Sequence, residues 1–204
     1  MLFSITITRH LRNTCTSHLR LLYRSLSTTI TADDPIHKVD LRVGKITEIE
    51  NHPDASHLYI EKAAIKELVV CVSKESLEER TIVSGLVPYM SKESLCGKRV
   101  VVVANLKASK FRGVLSQGML LAASVDNRVQ TLSPPSLAPI GERIQLEGVS
   151  LGEPVDVLKP KQKIFEQVAE HLKTDENGVA TYKGIPLVTS EGPVCCEIKH
   201  GEVS

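Results

Sequence analysis

Tryptophan is absent from this 204-residue chain, and aromatic residues make up only 3% of it. Proteins that grip an extended single strand of nucleic acid stack successive bases on aromatic side chains, each worth roughly 1–3 kcal/mol. Between residues 38 and 150 only Tyr59, Tyr89 and Phe111 could supply such a platform, so a long stacking track is excluded. No apolar run approaches the ~20 residues needed to cross a bilayer, and no transmembrane helix is expected. The five cysteines are odd in number and none are paired at zinc-ligand spacing; Cys195 and Cys196 are adjacent, which strains a disulfide. Reduced thiols in a reducing compartment follow. There is no Walker or dinucleotide-type glycine loop, so no cofactor is expected.

The first 32 residues lack lysine, aspartate and glutamate altogether, yet carry Arg9, Arg12, Arg20 and Arg24. At about 100° per residue, Leu11, Leu19, Leu22 and Leu26 fall on one side of a helix and the four arginines on the other. An amphipathic, Arg-rich, acid-poor leader is the composition of a mitochondrial transit peptide, with a basic RNA-binding tail as the alternative. Residues 1–34 are therefore read as a leader ending at Asp33-Asp34-Pro35, and the matrix as the destination, with the cytoplasm as the alternative. Without those four arginines the chain has 21 basic residues against 24 acidic ones. Positive charge for a polyanion must then be concentrated on one face.

From residue 38 onward apolar residues come in short runs broken by turn residues: Val39–Ile49, Leu58–Ile65, Thr81–Val87, Val100–Ala104, Gly118–Ala123 and Arg143–Val149. Many short strands with little helical periodicity predict a small all-β barrel or sandwich over residues 35–150. Past Gly152-Glu153-Pro154, Ile164, Val168 and Leu172 recur every four residues, predicting an amphipathic helix from Lys161 to Leu172. Val179–Val188 and Val194–Ile198 then read as a two-stranded unit joined through Gly192-Pro193. One helix and a hairpin make a poor independent core, so residues 151–204 are expected to pack against the barrel.

Between Glu93 and Asp126 there is not one acidic residue, while Lys98, Arg99, Lys107, Lys110 and Arg112 fall inside the interval. Such segregation in a net-acidic body offers a patch to a polyanion. The segment NLKASKFRGVLSQGM lies between two apolar runs, where a barrel presents a loop to oligonucleotides. Asn105, Ser109, Ser116 and Gln117 add groups able to reach phosphate or a 2′-hydroxyl. Scarce aromatics with clustered cations favour the shape and backbone of a folded RNA over a bare strand.

Catalytic readings are weaker. His52, Asp54 and His57 are metal-ligand types, but HPDA reads as a turn and no further carboxylate or cysteine accompanies it. Ser116 in GVLSQG lacks the glycine that a nucleophile elbow needs two residues earlier, where Val114 stands.

VDLRVGKI, HPDASHLYIEK, TIVSGL, NLKASKFRGVLSQGM and APIGERI together resemble the tRNA-binding domain shared by the EMAP-II-like proteins, the yeast Arc-type synthetase cofactor and appendages of methionyl- and tyrosyl-tRNA synthetases. GEPVDVLKPKQKIFEQVAEHLKTDENGVATYKGIPL resembles the extra C-terminal module of the EMAP-II-like branch. The resemblance implies a five-stranded OB-fold barrel carrying a small helix-plus-hairpin module, with no catalytic activity. It implies structure-specific binding of tRNA in support of aminoacylation, with an aminoacyl-tRNA synthetase as a possible partner. An organellar single-strand binder and a cytokine-like interaction module are the alternatives. The RNA-facing positions it implies are Arg42, Lys45, Ser84, Asn105, Lys107, Lys110, Arg112, Ser116, Gln117 and Met119. The module of that branch imitates a dimer interface within one chain, so a monomer is expected. The sequence departs from the family in running AAIKELVVCVSKESLEER before TIVSGL, a longer connection that lacks the usual acidic-glycine turn.

Overall fold

The structure, a computed structural model, describes residues 29–70 and 74–204. The leader expected at the N-terminus therefore lies largely outside the described residues. Fifteen strands follow in order: β1 Leu41–Asn51, β2 Tyr59–Val70, β3 Lys74–Ser84, β4 Arg99–Val103, β5 Ser109–Phe111, β6 Val114–Ser116, β7 Met119–Leu120, β8 Ala122–Val125, β9 Arg128–Thr131, β10 Gln145–Leu146, β11 Leu172–Thr174, β12 Ala180–Tyr182, β13 Ile185–Thr189, β14 Gly192–Pro193 and β15 Glu202–Val203. Two short α-helices, α1 (Lys92–Leu95) and α2 (Ile164–Ala169), and 3-10 turns at Pro35–Lys38 and Pro160–Gln162 complete the regular structure among the described residues.

The barrel sheet has five strands in the order β3-β2-β1-β4-β7, all antiparallel, as an OB-type fold requires. Between β1 and β7 lies β4, whose continuous apolar run is explained by burial on both faces. Val100 and Val102 face the barrel interior with Ile46, Tyr59, Ile82 and Leu120. Val101 and Val103 face a second core that contains Phe165, Val168, Leu172, Tyr182 and Leu187. That second core is shared by the barrel and the C-terminal segment, so neither buries its apolar surface alone.

The described residues of the long connection before TIVSGL are strand: β2 and β3 pair out to Val70 opposite Lys74, with one shift of register between Ala64 and Lys66.

The C-terminal segment differs from a helix plus one hairpin in two respects. The helix is shorter than expected: Lys163 adopts φ 48°, a left-handed residue that separates a 3-10 turn at Pro160–Gln162 from α2. Leu172 is a strand residue opposite Tyr182. Nor does the segment merely pack on the barrel. Its strands join β8 and β9 in one hydrogen-bonded sheet, ordered β10-β13-β12-β11-β15-β8-β9, through Glu202 opposite Ser124 and Val203 opposite Ala123.

The folded body also reaches upstream of the expected leader boundary. Asp34 is buried, its carboxylate accepts from the Ile36 amide at 3.1 Å and the Tyr182 hydroxyl at 2.7 Å, and Lys183 Nζ lies 2.7 Å away. Burial would raise its pKa, but the bonds from Lys183, Ile36 and Tyr182 outweigh it and hold the group below the usual range. Asp34 thus ties the start of the body to the β12–β13 turn.

Candidate nucleic-acid interface

The basic segment is a hairpin in its own right. Ser109 opposes Ser116, Lys110 opposes Leu115 and Phe111 opposes Val114. Arg112 and Gly113 form the two-residue turn with φ of 47° and 92°, the positive values that match the twist of flanking strands. At its base, Ser116 Oγ accepts from the Val83 amide at 3.0 Å and donates to Gly118 O at 3.0 Å. Gln117 clasps Thr81 from both sides, donating its amide at 2.8 Å and accepting through Oε1 at 3.2 Å. Arg80 donates to the Ala104 and Gln117 carbonyls while paired to Glu78.

His52 is buried, and both ring nitrogens are used within the chain. Nδ1 accepts from the Asp54 amide at 3.1 Å and Nε2 lies 3.2 Å from Phe111 O, which fits a neutral ring protonated on Nε2. The HPDA turn therefore holds the hairpin near its tip.

On this support Lys107, Lys110, Phe111, Arg112 and Leu115 stand exposed. None of the three cations forms an ion pair among the described residues. Below them runs a groove of about 980 Å³ between the barrel and the C-terminal segment, lined on the barrel side by Ser84, Lys107, Ser109, Phe111, Ser116 and Met119. Phe165, Glu166, Ala169, Glu170, Lys173 and Glu202 line the opposite side. Four of the ten residues expected to face RNA, namely Ser84, Lys107, Ser116 and Met119, are thus brought into one concavity. Lys110 and Arg112 occupy the hairpin above it, and Gln117 lies beside Lys107 in a shallower depression.

Three expected residues sit apart from the groove. Asn105 is buried with its amide fully engaged: Oδ1 accepts from the Asp40 amide at 3.0 Å, and Nδ2 donates to Lys38 O at 2.9 Å and Val155 O at 2.7 Å. It staples three chain segments together where β4 ends. Arg42 is held by Asp40 at 2.9 Å and by Gly141 O at 2.9 Å. Lys45 is half-buried on β1, opposite Ala64 and Arg99.

Two contributors were not expected from the sequence. Arg80 braces the hairpin base as described. Glu61 is fully buried, its Oε1 bonded to Ser84 Oγ while Oε2 has no partner. Burial pushes its pKa up to about 7, against the opposing bond from Ser84. The alternation of Tyr59, Ala63 and Ile65 around it is the signal that points Glu61 inward.

Residues 41–143 match the family described as "Putative tRNA binding domain". The chain is 42% identical over 171 residues to cytoplasmic tyrosine–tRNA ligase of Gallus gallus, covering 82% of this chain and 31% of the relative. It is 38% identical over 160 residues to the aminoacyl tRNA synthase complex-interacting multifunctional protein 1 of Cricetulus griseus, covering 78% of this chain and 42% of that protein. The chain thus spans about a third to a half of the length of these curated relatives. Among solved structures, the C-terminal domain of Plasmodium vivax p43 superposes with a TM-score of 0.76 at 34% identity, covering 84% of this chain and 99% of that one.

Proposed function

Since the chain belongs to the tRNA-binding domain family, we propose that it binds folded tRNA through the Lys107–Arg112 hairpin and the groove beneath it. The carrying observation is that Lys110 and Arg112, on a hairpin braced from below, and Lys107 just before it are exposed, mutually close in sequence and unpaired among the described residues. Fixed cations on a rigid support select a spacing of phosphates, which is how a folded RNA is told from a flexible strand. With three such contacts, log K should fall against log salt with a slope of about −2 to −3.

In this reading the chain is a non-catalytic, trans-acting cofactor that delivers tRNA to an aminoacyl-tRNA synthetase. The names of the synthetase and synthetase-complex relatives support that partner class. A mitochondrial site of action is part of the proposal and is supported by the acid-free, arginine-rich leader. A green-fluorescent fusion of residues 1–35 should enter mitochondria; diffuse cytosolic fluorescence would remove that part. A monomer is proposed because β15 already pairs with the β8 edge within the chain, and sedimentation of the full chain tests it.

The decisive experiment is filter-binding competition between folded tRNA and an unstructured RNA of equal length. Folded tRNA should compete at least tenfold better. Equal competition would replace tRNA recognition with single-strand binding.

A further inference from the structure

The groove has walls of opposite charge that do not neutralise each other. On the barrel side stands Lys107, with Lys110 and Arg112 on the hairpin above. On the far side Glu166 and Glu170 lie one helical turn apart, and Glu202 comes from β15; Lys173 is the one cation among the far-side lining residues. Glu166, Glu170 and Glu202 are all exposed and form no ion pair among the described residues.

A paired RNA duplex presents mainly phosphate and sugar and would be repelled by the acidic wall. An unpaired nucleotide is itself polarised, with an anionic phosphate at one end and base-edge N–H donors at the other. Amino groups of cytosine, adenine and guanine donate to carboxylates, whereas uracil offers two carbonyls and one N–H. Phe111, 46% exposed on the basic side, supplies a face for that base to stack on. A volume of about 980 Å³ accommodates a nucleotide.

We propose that the groove holds an unpaired nucleotide of the bound RNA, its phosphate toward Lys107 and Lys110 and its base between Phe111 and the Glu166–Glu170 wall, with amino-bearing bases preferred over uracil. This rests on the RNA-binding reading above and extends it: the barrel supplies the cations, and the C-terminal segment reads the base.

The test uses the full chain and three labelled hairpin RNAs with one common stem and loop, ending blunt, in a CCC 3′ overhang or in a UUU 3′ overhang. Fluorescence anisotropy should rank CCC about tenfold tighter than blunt, with UUU between them. Phe111→Ala should bring both overhangs to the blunt affinity, and E166Q with E170Q should erase the preference for CCC over UUU. All three side chains are exposed, and circular dichroism checks that each variant is folded. Equal affinity for the three hairpins overturns the proposal. So does a glutamine double variant that tightens all three equally, because the acids would then only repel backbone. Absence of binding to any hairpin brings down the RNA reading itself, a result distinguishable from equal affinities.

Discussion

The two ends of β4 carry similar residues and treat them in opposite ways. At the start, Lys98 is half-buried, with its pKa lowered chiefly by desolvation, and Arg99 Nε donates to Ala138 O at 3.0 Å. Past the end, after roughly 16 Å of strand, Lys107, Lys110 and Arg112 stand in solvent on a hairpin. An acid-free interval that looks uniform in sequence is thus divided by the barrel into cations consumed by the fold and cations free for a ligand. Asn105 adds a warning at the free end: two residues from Lys107, its amide is fully engaged inside the protein.

The largest effect should come from breaking that staple. Asn105→Ala strands the Asp40 amide and the Val155 carbonyl and leaves the Lys38 carbonyl only the Val155 amide at 3.3 Å, and unmet buried groups cost about 1–3 kcal/mol each. Urea unfolding should show a loss of about 4 kcal/mol, reduced somewhat where water reaches the vacated site. A loss below about 1 kcal/mol would show that the three segments are held by something else.

Next in size is the buried acid beneath the groove. Glu61 is neutral in the fold below about pH 7, whereas an unfolded glutamate ionises near its ordinary value of 4.5. The folded state therefore holds more protons across that window, and stability falls as pH rises from about 4.5 through 7, by up to about 3 kcal/mol. Thermal melts between pH 5 and 8 should show the decline, and Glu61→Gln should flatten it and raise stability at pH 8. A wild-type profile that rises over this range would refute a neutral Glu61.

The double change Lys107→Ala with Lys110→Ala comes third, at about 2 kcal/mol of RNA affinity, or ~30-fold at 0.1 M salt, from two lost phosphate contacts. The salt slope should shrink by about 1.5 with the melting temperature unchanged, because both side chains are exposed. Unchanged affinity would move the interface off the hairpin.

What was legible in the sequence was what periodicity encodes. Short apolar runs marked β1, β2 and β4 as strands, while the burial of β4 on both faces appears only in the fold. The basic hairpin was visible as a charge segregation between two apolar runs. The rest was hidden because it depends on single residues or very short pairings. Glu202–Val203 is a two-residue strand with no period, yet it fuses the barrel and the C-terminal segment into one sheet. Lys163 delays the start of the helix through one left-handed residue, a conformation that lysine composition does not announce. Asn105 looks like a loop residue and is a staple because Asp40, Lys38 and Val155 converge on it from sites remote in the chain.

The smallest predicted effect is the one that isolates the opening contrast. Lys98 lies in the same acid-free interval as Lys107, so if charge count alone governed binding, removing either should cost the same affinity. Its burial says otherwise: desolvation already disfavours the charged ammonium there, and Glu197 and Cys196 are the neighbouring groups that pull its pKa the other way. Lys98→Met keeps the aliphatic stem while removing a charge that the fold desolvates, so stability should change by less than about 1 kcal/mol. The slope of log K against log salt should stay within about 0.3 of the wild-type value, since no phosphate contact is lost. A slope reduced by about 0.8, the signature of one phosphate contact, would mean that RNA wraps past β4 to its far end.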